Sequence, residues 1–314
     1  MTKEPLPISE KTNFRPLFIT ITVAIIVYFL FILWGGWEST LSAVKTIGVL
    51  PICLALMLSC INYGLRFTRW QMYLSKLGHH PPVLLSLRLY IAGFALTATP
   101  GKAGEAIRSL FLKKEGIPVN HTLGAFFGER MSDLLSVVIL AMSGLWLYPQ
   151  TRISIGIVAF LILFVVYAIQ KDRWLKRIEK WATFLLPKRL AHIAESLFDM
   201  MLSFRSCFET TILLKGTFLG VLAWGAEGLA FYLILQSTGA EISLLTVEFI
   251  YGFGLLIGAI TFLPGGLGGA EITMSQLLIL NGIEPSIAIA STLIIRITTL
   301  WFSVLLGLIA LPRK

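Results

Sequence analysis

Charge is what this 314-residue chain has least of: Asp, Glu, Lys and Arg make up 14% of it, against about 25% in an average soluble domain. That scarcity excludes an ordinary soluble enzyme and a disordered tail. Cysteine is scarce too. Cys53, Cys60 and Cys207 cannot staple a secreted scaffold and form no CxxC or metal-ligand spacing. Cys53 and Cys60, seven apart, are expected on one helix face. The four histidines, His79, His80, His121 and His192, assemble no Ser–His or metal constellation. His79-His80, before Pro81-Pro82, reads as a solvated loop, and His121 as the opening of a helix. Neither G-x-S-x-G nor H-E-x-x-H occurs, and no glycine stretch leads into the Lys-Ser/Thr of a phosphate-binding loop. No catalytic residue, metal, cofactor, nucleotide or nucleic acid is therefore expected.

Apolar residues are plentiful. They make up 56% of the chain, and the mean hydropathy is +0.82. They fall in runs, which points to an all-α polytopic membrane protein. Residues 17–34, preceded by Lys3, Lys11 and Arg15, read as an uncleaved anchor helix. Further runs cover 47–65, ending at Arg66 and Arg69, then 83–99, 121–148, a connecting helix at 153–170, 211–236, 244–263, 270–280 and 287–311. The formal charge of +9 sits mostly in alternate loops. With the N-terminus inside, Lys45 and Arg152 are the only basic residues in the outer loops 35–46, 149–152, 237–243 and 281–286, so a multi-pass protein of the cytoplasmic (inner) membrane with both termini in the cytoplasm is expected. A linker over 171–210 begins with Lys171, Arg173, Lys176, Arg177, Lys180, Lys188 and Arg189. Trp174, Ile178, Trp181 and Leu185 recur among them at helical spacing, which suits an amphipathic helix on the anionic inner leaflet.

Residues 105–114 make only about 15 Å of helix, half of a hydrocarbon core. The economical reading is a re-entrant hairpin over 83–114 with its tip at Pro100, Gly101 and Gly104. A second hairpin over 244–280 has Pro264, Gly265 and Gly266 at its tip. Broken backbone at membrane depth needs a polar or protein interior. The two halves, 47–148 and 211–311, repeat in spacing. Glu105 precedes Arg130 by 25 residues, as Glu271 precedes Arg296. Asn62 stands 43 before Glu105, and Glu227 stands 44 before Glu271. By loop charge the halves are inverted, the transporter plan that puts a substrate site near the midplane. Each ionisable residue buried in a bilayer calls for a partner or a task. Arg130 and Arg296, one per half, suit an anionic headgroup, with Glu105, Glu271, Lys102 and Arg108 beside them. Arg–Glu neutralisation within each repeat is the competing reading. Glu129, Asp133, Glu227 and Asn62 are candidate proton or ion-pair sites, and Glu248 is a further buried acid.

The motifs Pro100-Gly101-Lys102-Ala103-Gly104-Glu105-Ala106-Ile107-Arg108 and Pro264-Gly265-Gly266-Leu267-Gly268-Gly269-Ala270-Glu271, with Glu129-Arg130-x-x-Asp133 and Arg296, resemble the transmembrane, flippase-like domain of the lysylphosphatidylglycerol synthases. The resemblance covers about residues 15–311. It implies a domain that moves a phospholipid or polyprenyl-phosphate glycolipid between leaflets. Full-length synthases add a cytoplasmic aminoacyl-transferase domain, for which no room is expected after Lys314, so an enzyme is not expected. Two other readings stay open. One is a non-transporting membrane partner presenting a lipid-linked substrate to a separate transferase. The other is a secondary transporter of a soluble anion.

Overall fold

The computed structural model describes residues 36–97, 105–144, 148–171, 191–261 and 263–311, together with 26, 29, 30 and 33. Among these the chain is helical, with no strand, as an all-α membrane protein must be. Hydrocarbon offers backbone N–H and C=O groups no partner, and a helix satisfies them within its own segment. In order, the helices are α1 (Trp37–Ile47), α2 (Val49–Lys76), α3 (Val83–Gly93), α4 (Arg108–Lys113), α5 (Val119–Met142), α6 (Arg152–Gln170), α7 (Ala191–Ser206), α8 (Thr210–Gln236), α9 (Leu244–Ile260), α10 (Gly269–Leu280), α11 (Pro285–Arg296) and α12 (Phe302–Ala310). A 3-10 turn, Phe94–Leu96, extends α3, and a π turn, Ile297–Trp301, joins α11 to α12. Among the described residues, α2, α8 and the rod Pro285–Ala310 are long and apolar enough to cross a membrane.

Two sequence boundaries are corrected. The expected loop 35–46 is largely helix α1, packed against α11. The run expected to end at Arg66 continues to Lys76. Arg66 and Arg69 do not stop α2 because both guanidinium groups turn inward and are buried, 4% and 0% exposed. The anchor expected at 17–34 and the basic stretch 172–190 lie largely outside the described residues. What is described of the linker's far end, α7, packs on α5. A Cβ at Gly124 would stand 2.5 Å from the Ser203 side chain, and one at Gly128 would stand 3.1 Å from Cys207.

At the centre, α2 lies along α8. The approach is close because α8 presents glycine: a Cβ at Gly216 would meet the Tyr73 hydroxyl at 2.5 Å, and one at Gly220 would meet Arg69 Nη1 at 2.8 Å. Asn62 of α2 seals the seam by donating to the Ala223 carbonyl at 2.8 Å. Cys53 and Cys60 are exposed on α2. Phe160 and Phe164 of α6, Leu214 and Phe218 of α8, and Ile309 of α12 are likewise exposed, the face expected toward lipid.

Each half contains a broken segment that folds back on itself. In the second, Gly254 of α9 faces Met274 and Gly258 faces Ala270 of α10, so the arms run antiparallel. The turn passes through Gly265, Gly266 and Gly268 at φ +64°, +70° and +81°, which only glycine adopts freely. Gly269 is packed, its missing Cβ leaving room for Thr261. In the first, Gly93 of α3 lies 3.5 Å, measured from an added Cβ, from the Glu105 carbonyl, and close to Arg108. The arms have 11, 6, 17 and 12 helical residues. Even the longest, at about 25 Å, falls short of a hydrocarbon core of about 30 Å. The halves clasp each other's broken segments. Gly307 of α12 sits directly on Ala95 of the first, while Gly252 of α9 in the second lies against Val137 and Ala141 of α5.

Candidate functional site: two charged clusters inside the bundle

Helix α2 carries Asn62, Arg66, Arg69 and Tyr73 at i, i+4, i+7 and i+11, one face of a helix. That face reaches α8 through Asn62 and α5 through the rest: Asp133 meets Arg66 and Arg69, and the Tyr73 and Ser132 hydroxyls share a hydrogen bond at 2.6 Å. Asp133 is the hub. Arg69 Nη2 reaches its Oδ1 at 2.5 Å, and the Trp224 indole N–H donates to the same oxygen at 3.0 Å. Arg130 stands 3.1 Å from Oδ2, and Arg66 3.9 Å away. Arg66 lies between the rings of Phe94 and Trp224, 5.4 and 5.3 Å from their centroids.

Glu129, fully buried, takes Arg108 Nη2 and the Tyr90 hydroxyl, the latter at 3.0 Å. Arg108 also stacks on Trp70 at 4.1 Å and on Tyr90 at 4.8 Å. Glu105, at the start of the returning arm, accepts from Thr97 at 2.7 Å and pairs with Arg130 at 3.5 Å. The cluster therefore holds four guanidinium groups (Arg66, Arg69, Arg108 and Arg130) against three carboxylates (Glu105, Glu129 and Asp133). The Nε of all four arginines, and Nη1 of Arg69 and Arg108, are buried without a hydrogen-bond partner. Arginine cannot shed its proton to escape that environment. The cluster is therefore one positive charge in excess and rich in unfilled donors.

The second cluster has the opposite balance. Arg296, at the end of α11, gives Nε to Glu271 at 2.7 Å and Nη2 to the Gly265 carbonyl at 2.5 Å, so it ties helix and hairpin tip together. Tyr251 donates to Glu227 at 2.5 Å. Tyr63 of α2 donates to the Thr299 carbonyl, in the π turn beside Arg296, at 2.6 Å. Glu248 is buried on α9. Among the described residues this group counts one arginine and three carboxylates, Glu227, Glu248 and Glu271. No set of three or more His, Cys, Asp or Glu side chains among the described residues is placed to hold a metal ion.

The family model for the lysylphosphatidylglycerol synthase TM region matches residues 19–307, a span that takes in both clusters. The chain belongs to that family. It is similar to UPF0104 membrane proteins of three archaea over nearly their whole length. The Pyrococcus horikoshii protein is 24% identical over 92% of this chain and 95% of its own. A Methanothermobacter thermautotrophicus protein is 27% identical over 91% and 90%, and a Methanocaldococcus jannaschii protein 24% identical over 92% and 94%. Membership of the synthase TM-region family fits a lipid-related role in the membrane.

The equal spacing in the two halves of this family member has a physical counterpart. Both 25-residue intervals end in an ion pair, Glu105 with Arg130 and Glu271 with Arg296. Glu129 and Asp133 are paired with arginines, Glu227 with a tyrosine, and Asn62 with a backbone carbonyl. Lys102, Pro100, Gly101 and Gly104 lie outside the described residues. Sequence reasoning missed Arg66 and Arg69, which it used only to end a span. The signal was their register with Asn62 and Tyr73, which continues one helical face beyond the apolar run. His79 is not the freely solvated loop residue that the sequence leads one to expect. His79 instead meets His121 across the α2–α5 junction, Nε2 to Nδ1 at 2.7 Å.

Proposed function

We propose that this membrane protein moves a lipid or lipid-linked headgroup between the leaflets of the cytoplasmic membrane, with both termini in the cytoplasm and the broken segments re-entering as an inverted pair. The observation that carries the reading is the donor surplus of the first cluster. Four guanidinium groups share three carboxylates and keep buried N–H groups unfilled. A phosphate oxygen supplies both the charge and the acceptors such a site wants. The reciprocal clasp between the halves supports movement of one half against the other.

Arg130 is the residue to receive the headgroup. Its side chain is 15% exposed, the most open of the four, and its pair with Glu105, at 3.5 Å, is longer than its pair with Asp133, at 3.1 Å. A phosphate arriving there exchanges for Glu105, while Arg69, Arg108 and Asp133 hold the walls. The tails stay in lipid. Arg296 is bound to both Glu271 and the hairpin backbone, which suits a positioning role.

The test is reconstitution into proteoliposomes with labelled phospholipid and labelled polyprenyl-phosphate glycolipid, following transfer between leaflets. Wild type is expected to exceed protein-free vesicles. Arg130→Ala is expected to lose at least about tenfold of that rate, since a charged hydrogen bond is worth about 1.5–3 kcal/mol. Headgroup binding without any transfer would instead support a lipid-presenting partner of a transferase, and transport of a free anion alone would support the soluble-anion reading.

A further inference from the structure

The first cluster accounts for lipid binding, but it leaves the acids of the second unexplained, and Glu248 most of all. This residue is 9% exposed. Its Oε2 is buried with no hydrogen-bond partner, and no cation or hydrogen bond engages it among the described residues. It lies in the second turn of α9, within the apolar core formed by Val247, Phe249 and Ile250. Its carboxylate fits a notch cut for it in the neighbouring helix: a Cβ at Gly228 of α8 would stand 2.1 Å from Oε2 and 2.7 Å from Oε1. An ionised carboxylate in such a place is strongly disfavoured, and the usual escape is to take up a proton.

The groups around it offer no other escape. On α8 the adjacent acid, Glu227, is taken by Tyr251 of α9, and Arg296 is taken by Glu271 and Gly265. Tyr148, which follows α5, faces α9 by stacking on Phe249 at 4.7 Å and bonds Asn281. Of these only Arg296 carries a positive charge, and it is engaged by Glu271 and the Gly265 carbonyl. A hard metal cation would need several oxygen ligands, and the atom facing the Glu248 carboxylate is the α-carbon of Gly228.

We propose that Glu248 is a proton-binding site in the membrane interior, protonated in the conformation described and deprotonated when α8 and α9 part, so that headgroup movement is coupled to pH. The site lies one turn from the connection between α8 and α9. At that end of the bundle the exposed Glu241 and Glu284 line a surface depression, an acidic mouth from which protons can be drawn.

The coupling rests on the transport reading, but the proton site does not, so two measurements separate them. The first is infrared spectroscopy of the reconstituted protein between about pH 5 and about pH 9, a range that includes the values documented for buried glutamates. A protonated-carboxyl band present in wild type and missing in Glu248→Gln is expected. Its absence from wild type, or its persistence in Glu248→Gln, would overturn the proton site. The second is leaflet transfer under an imposed pH gradient. Wild type is expected to change rate severalfold, whereas Glu248→Gln, a fixed mimic of the protonated acid, is expected to ignore the gradient. Transfer by wild type that ignores the gradient would overturn the coupling. If wild type transfers nothing, the transport reading fails with the coupling, and the infrared band still decides the proton site. Gly228→Ala, which crowds the notch without removing the acid, is expected to shift the midpoint of that band.

Discussion

The two halves of the bundle share a plan and differ in charge. Each has a broken segment, an acid at the start of the returning arm and an arginine 25 residues later that pairs with it. Around that common pair the first half collects three more arginines together with two more acids, whereas among the described residues the second collects two more acids and no further arginine. The difference matters because the two charges fail differently in a low dielectric. A stranded carboxylate can neutralise itself with a proton. A stranded guanidinium cannot, and must be satisfied by another group. The proposed anion site and the proposed proton site each fall in the half whose charge balance suits them.

The comparison can be broken most sharply by stranding one charge in each half. Glu129→Gln removes the partner of the buried Arg108 and is expected to destabilise the protein by about 3–5 kcal/mol, the cost of breaking a buried pair. That loss should be nearly constant with pH, because arginine keeps its charge. Arg296→Met removes the arginine paired with Glu271 and should cost a similar amount at neutral pH but less in acid, because a carboxylate, unlike a guanidinium, can be neutralised by a proton. Thermal unfolding in detergent micelles over a pH series measures both. Equal pH slopes in the two variants would mean that the halves do not differ in the way described.

The next contrast sets the paired arginines against each other. Arg130 is the more exposed and the more loosely paired, and Arg296 is bound to both an acid and the hairpin backbone. Arg130→Ala is expected to lower leaflet transfer at least about tenfold while destabilising the protein less than Arg296→Ala does. Arg296→Ala is expected to unfold readily. Smaller again is Thr97→Val, which deletes the 2.7 Å hydrogen bond to Glu105. It should cost about 1 kcal/mol and, by loosening Glu105, ease its exchange for phosphate at Arg130. A lower lipid affinity in this variant would place Glu105 in the site as a ligand rather than as a gate.

Much of this contrast was legible in the sequence, and the reasons for the rest are physical. Helices and broken segments could be read from run lengths and Pro-Gly breaks, because a bilayer leaves the backbone few alternatives. The Glu–Arg pairs could be read from equal spacing. The charge asymmetry could not, because Arg66 and Arg69 follow an apolar run and look like the arginines that close a span at the membrane surface. What keeps them inside is tertiary: the glycines of α8 that admit α2, the rings of Phe94 and Trp224, and Asp133 on another helix. Glu248 was visible as a buried acid, but its distinction, the lack of a partner, exists only once Gly228 is placed against it.

The smallest expected effect lies where α2 meets α5, at His79 and His121. His79 and His121 share a hydrogen bond that needs one ring nitrogen as acceptor. Partial burial, and then the neighbouring His121 and His80, hold the His79 imidazole below its ordinary value. With the folded value depressed, the unfolded chain binds more protons as pH falls through the imidazole range, so the contribution of the pair is present above that range and lost below it. Acidification should therefore loosen the α2–α5 junction, read as faster amide exchange around residues 77–82 and at the start of α5. His121→Gln should remove most of that pH response while leaving the charged clusters, and the pH dependence assigned to Glu248, unchanged. If the variant also lost the pH dependence of leaflet transfer, the proton-sensitive element would lie at this junction and not in the acid-rich half.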